Sequence, residues 1–215
     1  DVLRSNDPLS HAFRVALAVM MLLSLKAPAV AEETGAATPS EGMAACGRPP
    51  MIDRAGWNAK PARTDAMKTQ TVTSIVLHDT RARSNPGLPV AEKMQNLQSY
   101  AMSAGRVSGL KKPAWGDVPY HFYIGIDGQI AEGRGLDYAG DSLGYYQTQS
   151  KAQIVLEGDF DVEEPSDAQV ASLKSLVCWL KRDYKIDGTL IFGHGQLASV
   201  PCPGPNLVKR IPDLR

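Results

Sequence analysis

The sequence predicts an α/β domain with a mixed β-sheet flanked by helices. Two observations lead to this fold class. Short runs of apolar and β-branched residues alternate with segments of helical periodicity, and one pair of runs is separated by a dipeptide typical of a β-hairpin. The 215 residues are enough for one domain with a well-buried core, and neither an internal repeat nor a second domain is evident.

Two of the predicted strands lead to histidines. Residues 71–77 are rich in Thr, Val and Ile and lead directly to His78. Residues 189–192 form the last apolar run, and His194 follows after a single glycine. Because a strand end can present its side chain to a cleft at the edge of a sheet, both histidines are candidate functional residues.

The middle of the chain predicts a hairpin and a central strand. Residues 120–126 and 129–132 flank an Asp-Gly dipeptide, which is a strong signal for a tight turn between two strands. Residues 154–156 are wholly apolar, as is typical of a strand covered on both faces. We interpret Glu157, which follows them, as a charge at the strand end and not as a catalytic base.

Two helices are predicted from apolar residues at helical spacing. The first helical segment begins at Pro89, and its apolar face consists of Val90, Met94, Leu97 and Ala101. The second follows Ser166, which forms a capping box with Gln169. Its apolar side consists of Val170, Leu173, Val177 and Leu180.

Residues 1–31 have the layout of a secretory signal peptide. Arg14 precedes a short apolar run, and the small residues at 29–31 suit cleavage. The run is too short to span a bilayer as a helix. Lys26 and the cleavage-like site argue against the alternative of an uncleaved anchor. Residues 32–45 are small and polar and predict a disordered lead-in to a domain over residues 46–215. We therefore expect a secreted or periplasmic protein with no stable membrane span after cleavage.

The charge balance argues against one class of function. The chain has 23 basic and 23 acidic residues, so its formal net charge is zero. Proteins that bind nucleic acid usually carry an excess of Lys and Arg on one face. We therefore expect no nucleic-acid partner.

Export would place three cysteines, Cys46, Cys178 and Cys202, in an oxidising compartment. An odd count leaves one thiol outside any disulfide within the chain. Cys202 lies eight residues after His194, in a proline-rich loop that can fold back on the strand end. Together with His78 these residues leave a fourth tetrahedral position open, as in catalytic zinc sites. Spacing alone leaves alternatives open, because each histidine could be structural and Cys202 could pair with either other cysteine.

Five segments between Met51 and Leu207 carry motifs in a fixed order. They are Met51–Trp57, Ile75–Thr80, Trp115–Phe122, Glu132–Arg134 and Gly193–Gly204. Together they make the sequence resemble the zinc-dependent N-acetylmuramoyl-L-alanine amidases, the family that contains peptidoglycan recognition proteins and phage lysozyme-type amidases. Several motifs in order are far more specific than any one of them, and they cover nearly all of the expected mature chain.

The resemblance implies a site, a substrate and a disulfide. The substrate it implies is the amide that joins N-acetylmuramic acid to the L-alanine of the peptidoglycan stem peptide, cut at a Zn²⁺ ion on the floor of a groove. Tyr120 falls on the catalytic tyrosine of the family. The cysteines Cys46 and Cys178 fall where recognition proteins often form a disulfide. The implied zinc ligands are His78, His194 and Cys202.

Three points remain open after the resemblance. His121 is a candidate proton donor, but adjacent residues of one strand point to opposite faces, so a structural role is the favoured alternative. Val200 stands where some catalytic relatives carry Lys or Thr. The chain therefore lacks a polar group there to stabilise the negative charge that develops on the scissile carbonyl oxygen during hydrolysis. The alternative function is a module that binds peptidoglycan without cutting it. Such relatives lose a zinc ligand, whereas this chain keeps all three. We expect a monomer that acts on peptidoglycan or muropeptides.

Overall fold

The computed structural model describes residues 46–107, 109–143 and 146–215. The predicted signal peptide and lead-in, residues 1–31 and 32–45, lie outside the described residues. Seven strands are present among the described residues: β1 (Ser74–Asp79), β2 (Gly105–Val107), β3 (Leu110–Lys112), β4 (Phe122–Ile124), β5 (Ile130–Glu132), β6 (Lys151–Leu156) and β7 (Ile191–Gly193).

Five of these strands form one mixed sheet in the order β5–β4–β6–β1–β7. β1 pairs in parallel with both β6 and β7, and β4 also pairs in parallel with β6. The predicted hairpin is confirmed, since β4 and β5 pair in antiparallel register. The predicted central strand is confirmed as well, because β6 is the third of the five strands. The predicted fold class, a mixed sheet flanked by helices, is therefore confirmed.

Two helices pack on the sheet, and a short one follows. They are α1 (Val90–Met102), α2 (Asp167–Tyr184) and α3 (Pro205–Val208). The predicted capping box is confirmed, because the Ser166 side chain accepts a hydrogen bond from the Gln169 N–H and the Gln169 side chain accepts one from the Ser166 N–H. In the described part of the chain, no helix combines the length and the apolar character that crossing a membrane requires.

Successive side chains of each strand point to opposite faces of the sheet, so the core consists of two layers. In β6, Ile154 and Leu156 face the cluster that includes α2, whereas Val155 between them faces the cluster that includes α1. In β1, Leu77 belongs to the α2 layer. His78 therefore points to the α1 side of the sheet, where the strand ends open into a groove.

The first and the last of the predicted strands begin later than the sequence indicates. The first was expected over residues 71–77 but spans Ser74–Asp79, because its parallel pairing with β6 begins with Ser74 opposite Lys151. The last was expected to begin at Thr189, but residues 188–190 form a 3₁₀ turn. The Asp187 side chain accepts a hydrogen bond from the Thr189 N–H and so holds that turn. The pair β2–β3 was not predicted.

A disulfide joins Cys46, the first described residue, to Cys178 in α2. The two cysteines are 132 residues apart in sequence. This is the pair that the resemblance implies. The bond fixes the N-terminal end of the described chain to the helix that covers the α2 layer.

The carboxylate of Glu157, directly after β6, connects three segments of the chain through two hydrogen bonds and an ion pair. This buried carboxylate accepts hydrogen bonds from the backbone N–H of Asn85 at 2.7 Å and of Ile126 at 2.9 Å. It also forms an ion pair with Lys93 of α1, with Nζ and Oε2 2.8 Å apart. The loop after β1, the first turns of α1 and the hairpin loop are therefore held by one carboxylate. The expected charge at the strand end has a structural role.

We predict that Glu157→Ala lowers the free energy of unfolding by about 3–5 kcal/mol, because it leaves the Lys93 ammonium buried without a partner. The side chains of this pair are only 5% and 10% exposed. Chemical denaturation at pH 7 measures the change. A matched control is Glu164→Ala, which breaks an exposed pair with Lys209 and should cost less than about 1 kcal/mol. Equal losses in the two variants would contradict the prediction.

Candidate metal centre

The structure brings His78, His194 and Cys202 together at one edge of the sheet. His78 is the next-to-last residue of β1, His194 begins a 3₁₀ turn directly after β7, and Cys202 lies in the loop before α3. One nitrogen from each imidazole and the Cys202 Sγ all lie within 4.8 Å of one another. Among the described residues, no other group of three His, Cys, Asp or Glu side chains is close enough to hold a metal ion.

The spacing of these donor atoms suits a tetrahedral ion. The Cys202 Sγ lies 3.6 Å from the His78 Nδ1. Zinc bonds of about 2.0–2.1 Å to nitrogen and about 2.3 Å to sulfur, meeting at a tetrahedral angle, place the two atoms roughly 3.6 Å apart. In addition, the His194 Nε2 is buried and has no hydrogen-bond partner among the described residues. The residues present therefore fit a zinc ion.

Burial keeps both imidazoles neutral, the form that binds metals. Burial, together with the nearby His194, lowers the pKa of His78 to about 3. Burial also lowers the pKa of His194. Burial raises the pKa of the Cys202 thiol, so in the metal-free protein this group keeps its proton. Binding of a cation would displace that proton, because the thiolate is the ligand form.

The loop that carries Cys202 is fastened to the turn that carries His194. The Gly195 N–H donates a hydrogen bond of 2.6 Å to the Cys202 carbonyl oxygen. A Cβ atom on Gly195 would lie 2.6 Å from the Val200 carbonyl oxygen, so only glycine allows this approach. Glycine often makes a loop more mobile, because it restricts the backbone least. The structure gives it a packing role instead.

Arg81 makes a second connection to the Cys202 loop. It adopts a left-handed backbone conformation with φ of 55°. Its Nη1 donates to the Pro201 carbonyl oxygen at 3.4 Å and lies 2.8 Å from Asp161 and 3.7 Å from the buried Asp79 carboxylate. Sequence reasoning missed Arg81 and Asp79, although a carboxylate directly after His78 in a buried strand was a visible signal.

A groove with a volume of about 670 Å³ opens above the three donor atoms. Tyr120 lines it, and its ring centroid is 5.1 Å from that of His78. Burial raises the pKa of the Tyr120 hydroxyl, which therefore remains a hydrogen-bond donor at neutral pH. Val200 also lines the groove. The far wall is formed by α1 and the segment after it, through side chains that include Lys93, Leu97, Tyr100, Val107 and Trp115.

His121 does not line this groove, unlike its neighbour Tyr120. Its Nδ1 accepts a hydrogen bond from the Gln153 N–H at 2.8 Å, and its Nε2 lies 2.9 Å from the Tyr138 carbonyl oxygen. Both ring nitrogens are therefore used to hold backbone segments.

Comparison with known proteins places the chain in a family. The two imidazoles and one thiol are a donor set of the kind that holds zinc in proteins. Residues 68–205 match the family model described as N-acetylmuramoyl-L-alanine amidase, which covers well over half of the chain. The chain therefore belongs to the N-acetylmuramoyl-L-alanine amidase family, and the resemblance seen in the sequence is confirmed.

The relatives include recognition proteins and an enzyme. Peptidoglycan-recognition protein SD of Drosophila melanogaster is 29% identical over 164 residues, which cover 75% of this chain and 83% of that protein. The N-acetylmuramoyl-L-alanine amidase of Sus scrofa is 25% identical over 164 residues, but the match spans only 26% of its length. A solved complex of tracheal cytotoxin with the ectodomains of peptidoglycan recognition proteins LCa and LCx matches with 26% identity and a TM-score of 0.62. The match covers 75% of this chain and 93% of the matched chain in that complex.

We predict that His121 makes stability depend on pH. Burial lowers the pKa of His121 to about 4, whereas a histidine in the unfolded chain has a pKa near 6.5. Between these two pH values the unfolded state binds a proton at this residue and the folded state does not. Stability is therefore lost as the pH falls, by roughly 2 kcal/mol from pH 7 to pH 5 for this group. His121→Gln should remove that share of the loss. Urea unfolding of both proteins at the two pH values, with a chelator present, measures the difference. An unchanged pH dependence would count against the prediction.

Proposed function

We propose that this protein is a zinc-dependent amidase that hydrolyses the amide between N-acetylmuramic acid and the L-alanine of peptidoglycan stem peptides. The observation that carries the proposal is the complete set of donors, His78, His194 and Cys202, on the floor of a groove. Membership of the amidase family supports the choice of substrate. Intact peptidoglycan and soluble muropeptides are both proposed as substrates.

The two imidazoles and the Cys202 thiolate would hold the ion, and catalytic zinc sites with three protein ligands keep one position for water or substrate. A bound zinc ion supplies Lewis-acid polarisation of the scissile carbonyl and activation of water at neutral pH. The contacts of Arg81 and Gly195 with the Cys202 loop keep the thiol at the correct place. The loop that carries the thiol is therefore anchored by contacts within the protein itself.

Tyr120 is the proposed hydrogen-bond donor to the reacting carbonyl. It lines the groove beside His78 and keeps its phenolic proton. Negative charge develops on the carbonyl oxygen during attack, and one well-placed donor typically contributes about 3 kcal/mol to the transition state. Val200 also lines the groove, and its side chain has no group to donate. Tyr120 therefore carries this role without the Lys or Thr of some relatives.

The location and the assembly state are part of the proposal. A disulfide between Cys46 and Cys178 is stable in an oxidising compartment, which supports a secreted or periplasmic protein released by cleavage of the signal peptide. We propose that the mature protein acts as a monomer, since the groove and its three donors are supplied by one chain.

A second candidate function is a module that binds peptidoglycan without cutting it. Two observations favour it. Several relatives are named as recognition proteins, and the apolar Val200 lines the groove beside the candidate metal ligands. The complete donor set favours the enzyme, because binding alone does not need an open metal position.

Digestion of purified peptidoglycan separates the two functions. The zinc-loaded protein should release intact stem peptides, detected by mass, and a chelator should stop the release until zinc is restored. Cys202→Ser should abolish both zinc retention and release, whereas the exposed Ser199→Ala should change neither. Peptidoglycan that is bound and pulled down but stays undigested by the zinc-loaded protein would exclude the amidase and support the binding module.

We predict that Tyr120→Phe lowers kcat by about a hundredfold to a thousandfold, because it removes one donor to the developing oxyanion. The zinc content and KM should change little, since the ring and its packing remain. Steady-state kinetics on a muropeptide, with zinc content measured in parallel, tests this. Tyr184→Phe, which alters a tyrosine packed against Trp179, is the matched control and should retain full activity. A Tyr120→Phe protein with unchanged kcat would refute the role.

A further inference from the structure

The two ring nitrogens of His78 have different neighbours. Nδ1 lies 3.6 Å from the Cys202 Sγ, on the side of the candidate metal. Nε2 lies 3.4 Å from the hydroxyl oxygen of Tyr146. A neutral imidazole carries its proton on only one of these atoms, and a metal binds the other. The partner of Nε2 therefore decides whether Nδ1 offers a lone pair.

The Tyr146 hydroxyl is already committed as a donor. It donates a hydrogen bond of 2.8 Å to the Oε1 of Gln153. A phenol has one proton, so towards His78 its oxygen acts as an acceptor. The His78 Nε2 then carries the ring proton and points it at Tyr146. This leaves the lone pair of Nδ1 directed to the side of Cys202.

Gln153 can reach this position because of its place in the sheet. In the parallel register His78 lies opposite Val155, and Gln153, two residues earlier in β6, faces the same side. Its side chain is completely buried. A Cβ atom on Gly140 would lie 2.3 Å from the amide nitrogen of Gln153 and 2.5 Å from the Pro119 carbonyl oxygen. Glycine at position 140 therefore makes the room that the amide needs.

Tyr146 also contacts the second candidate ligand. Its ring centroid lies 4.5 Å from that of His194, at an interplanar angle of 45°. The same side chain thus packs against one histidine and contacts the outer nitrogen of the other.

We propose that Tyr146 and Gln153 are positioning residues that fix the tautomer and the ring orientation of His78, so that Nδ1 faces the metal. The chain runs from His78 Nε2–H to the Tyr146 oxygen, and from the Tyr146 O–H to the Gln153 Oε1. Residues that hold the outer nitrogen of a metal-bound histidine typically contribute tenfold to a hundredfold in metal affinity. The inference rests on the zinc site of the proposed function.

The first test is zinc affinity, measured by competition with a chromophoric chelator. Tyr146→Phe keeps the ring against His194 but removes the hydroxyl, and should weaken zinc binding by about tenfold to a hundredfold. Gln153→Leu should have a similar effect. The double variant should be no weaker than the worse single variant, because both residues act through one chain of hydrogen bonds. Tyr184→Phe is the matched control and should bind zinc as the unaltered protein does.

The second test reads the tautomer directly and needs no metal. Two-bond ¹H–¹⁵N correlation spectra of the chelator-treated protein distinguish the two neutral forms of a histidine, and His78→Gln identifies the signal. We expect the His78 proton on Nε2, and a mixture of both forms in Tyr146→Phe. Thermal unfolding of the metal-free variants checks that the fold is kept.

The outcomes separate this inference from the proposed function. A protein that binds zinc but shows the His78 proton on Nδ1, or loses no affinity in Tyr146→Phe, overturns the inference and leaves the amidase in place. A protein that shows the expected tautomer but binds no zinc overturns the proposed function and leaves the hydrogen-bonded chain in place.

Discussion

Parallel pairing of β1 with both of its neighbours is the constraint on which the candidate centre depends. β1 and β7 run in the same direction, with Leu77 opposite Gly193, so the residues that follow, His78 and His194, lie at one edge of the sheet. More than a hundred residues separate these two histidines in sequence. Backbone hydrogen bonds between strands bring them together. The buried layers on both faces of the sheet make that pairing rigid.

Much of the fold could be predicted because its signals are local. The capping box of α2 lies within four residues, and the turn dipeptide marks the hairpin directly. The pair β2–β3 carried no such signal, because its three-residue strands include Gly105, Arg106 and two lysines instead of an alternating apolar pattern. The late start of β1 depends on where its neighbour β6 begins, which the sequence of β1 does not contain.

The candidate site likewise contains some residues that could be predicted from the sequence and others that could not. His78, His194 and Cys202 could be predicted because their side chains are the usual ligands of zinc and they stand within recognisable motifs. The residues that support them could not be predicted. Tyr146 contacts His78, although 68 positions separate the two residues in sequence. Arg81 contacts Pro201, although 120 positions separate them. Contacts of this kind join loops to strand ends, and only the folded arrangement of the chain reveals them.

The hydrogen bond from Gly195 to Cys202 has a consequence for the energetics of metal capture. In small zinc domains the ion organises the chain, so that binding and folding are one event. Here sheet pairing and a loop anchored by its own backbone set the separation of the donor atoms. Little conformational entropy remains to be lost when a cation arrives. Under the proposed function, the ion is therefore expected to bind a preorganised site reversibly and not to be needed for the domain to fold.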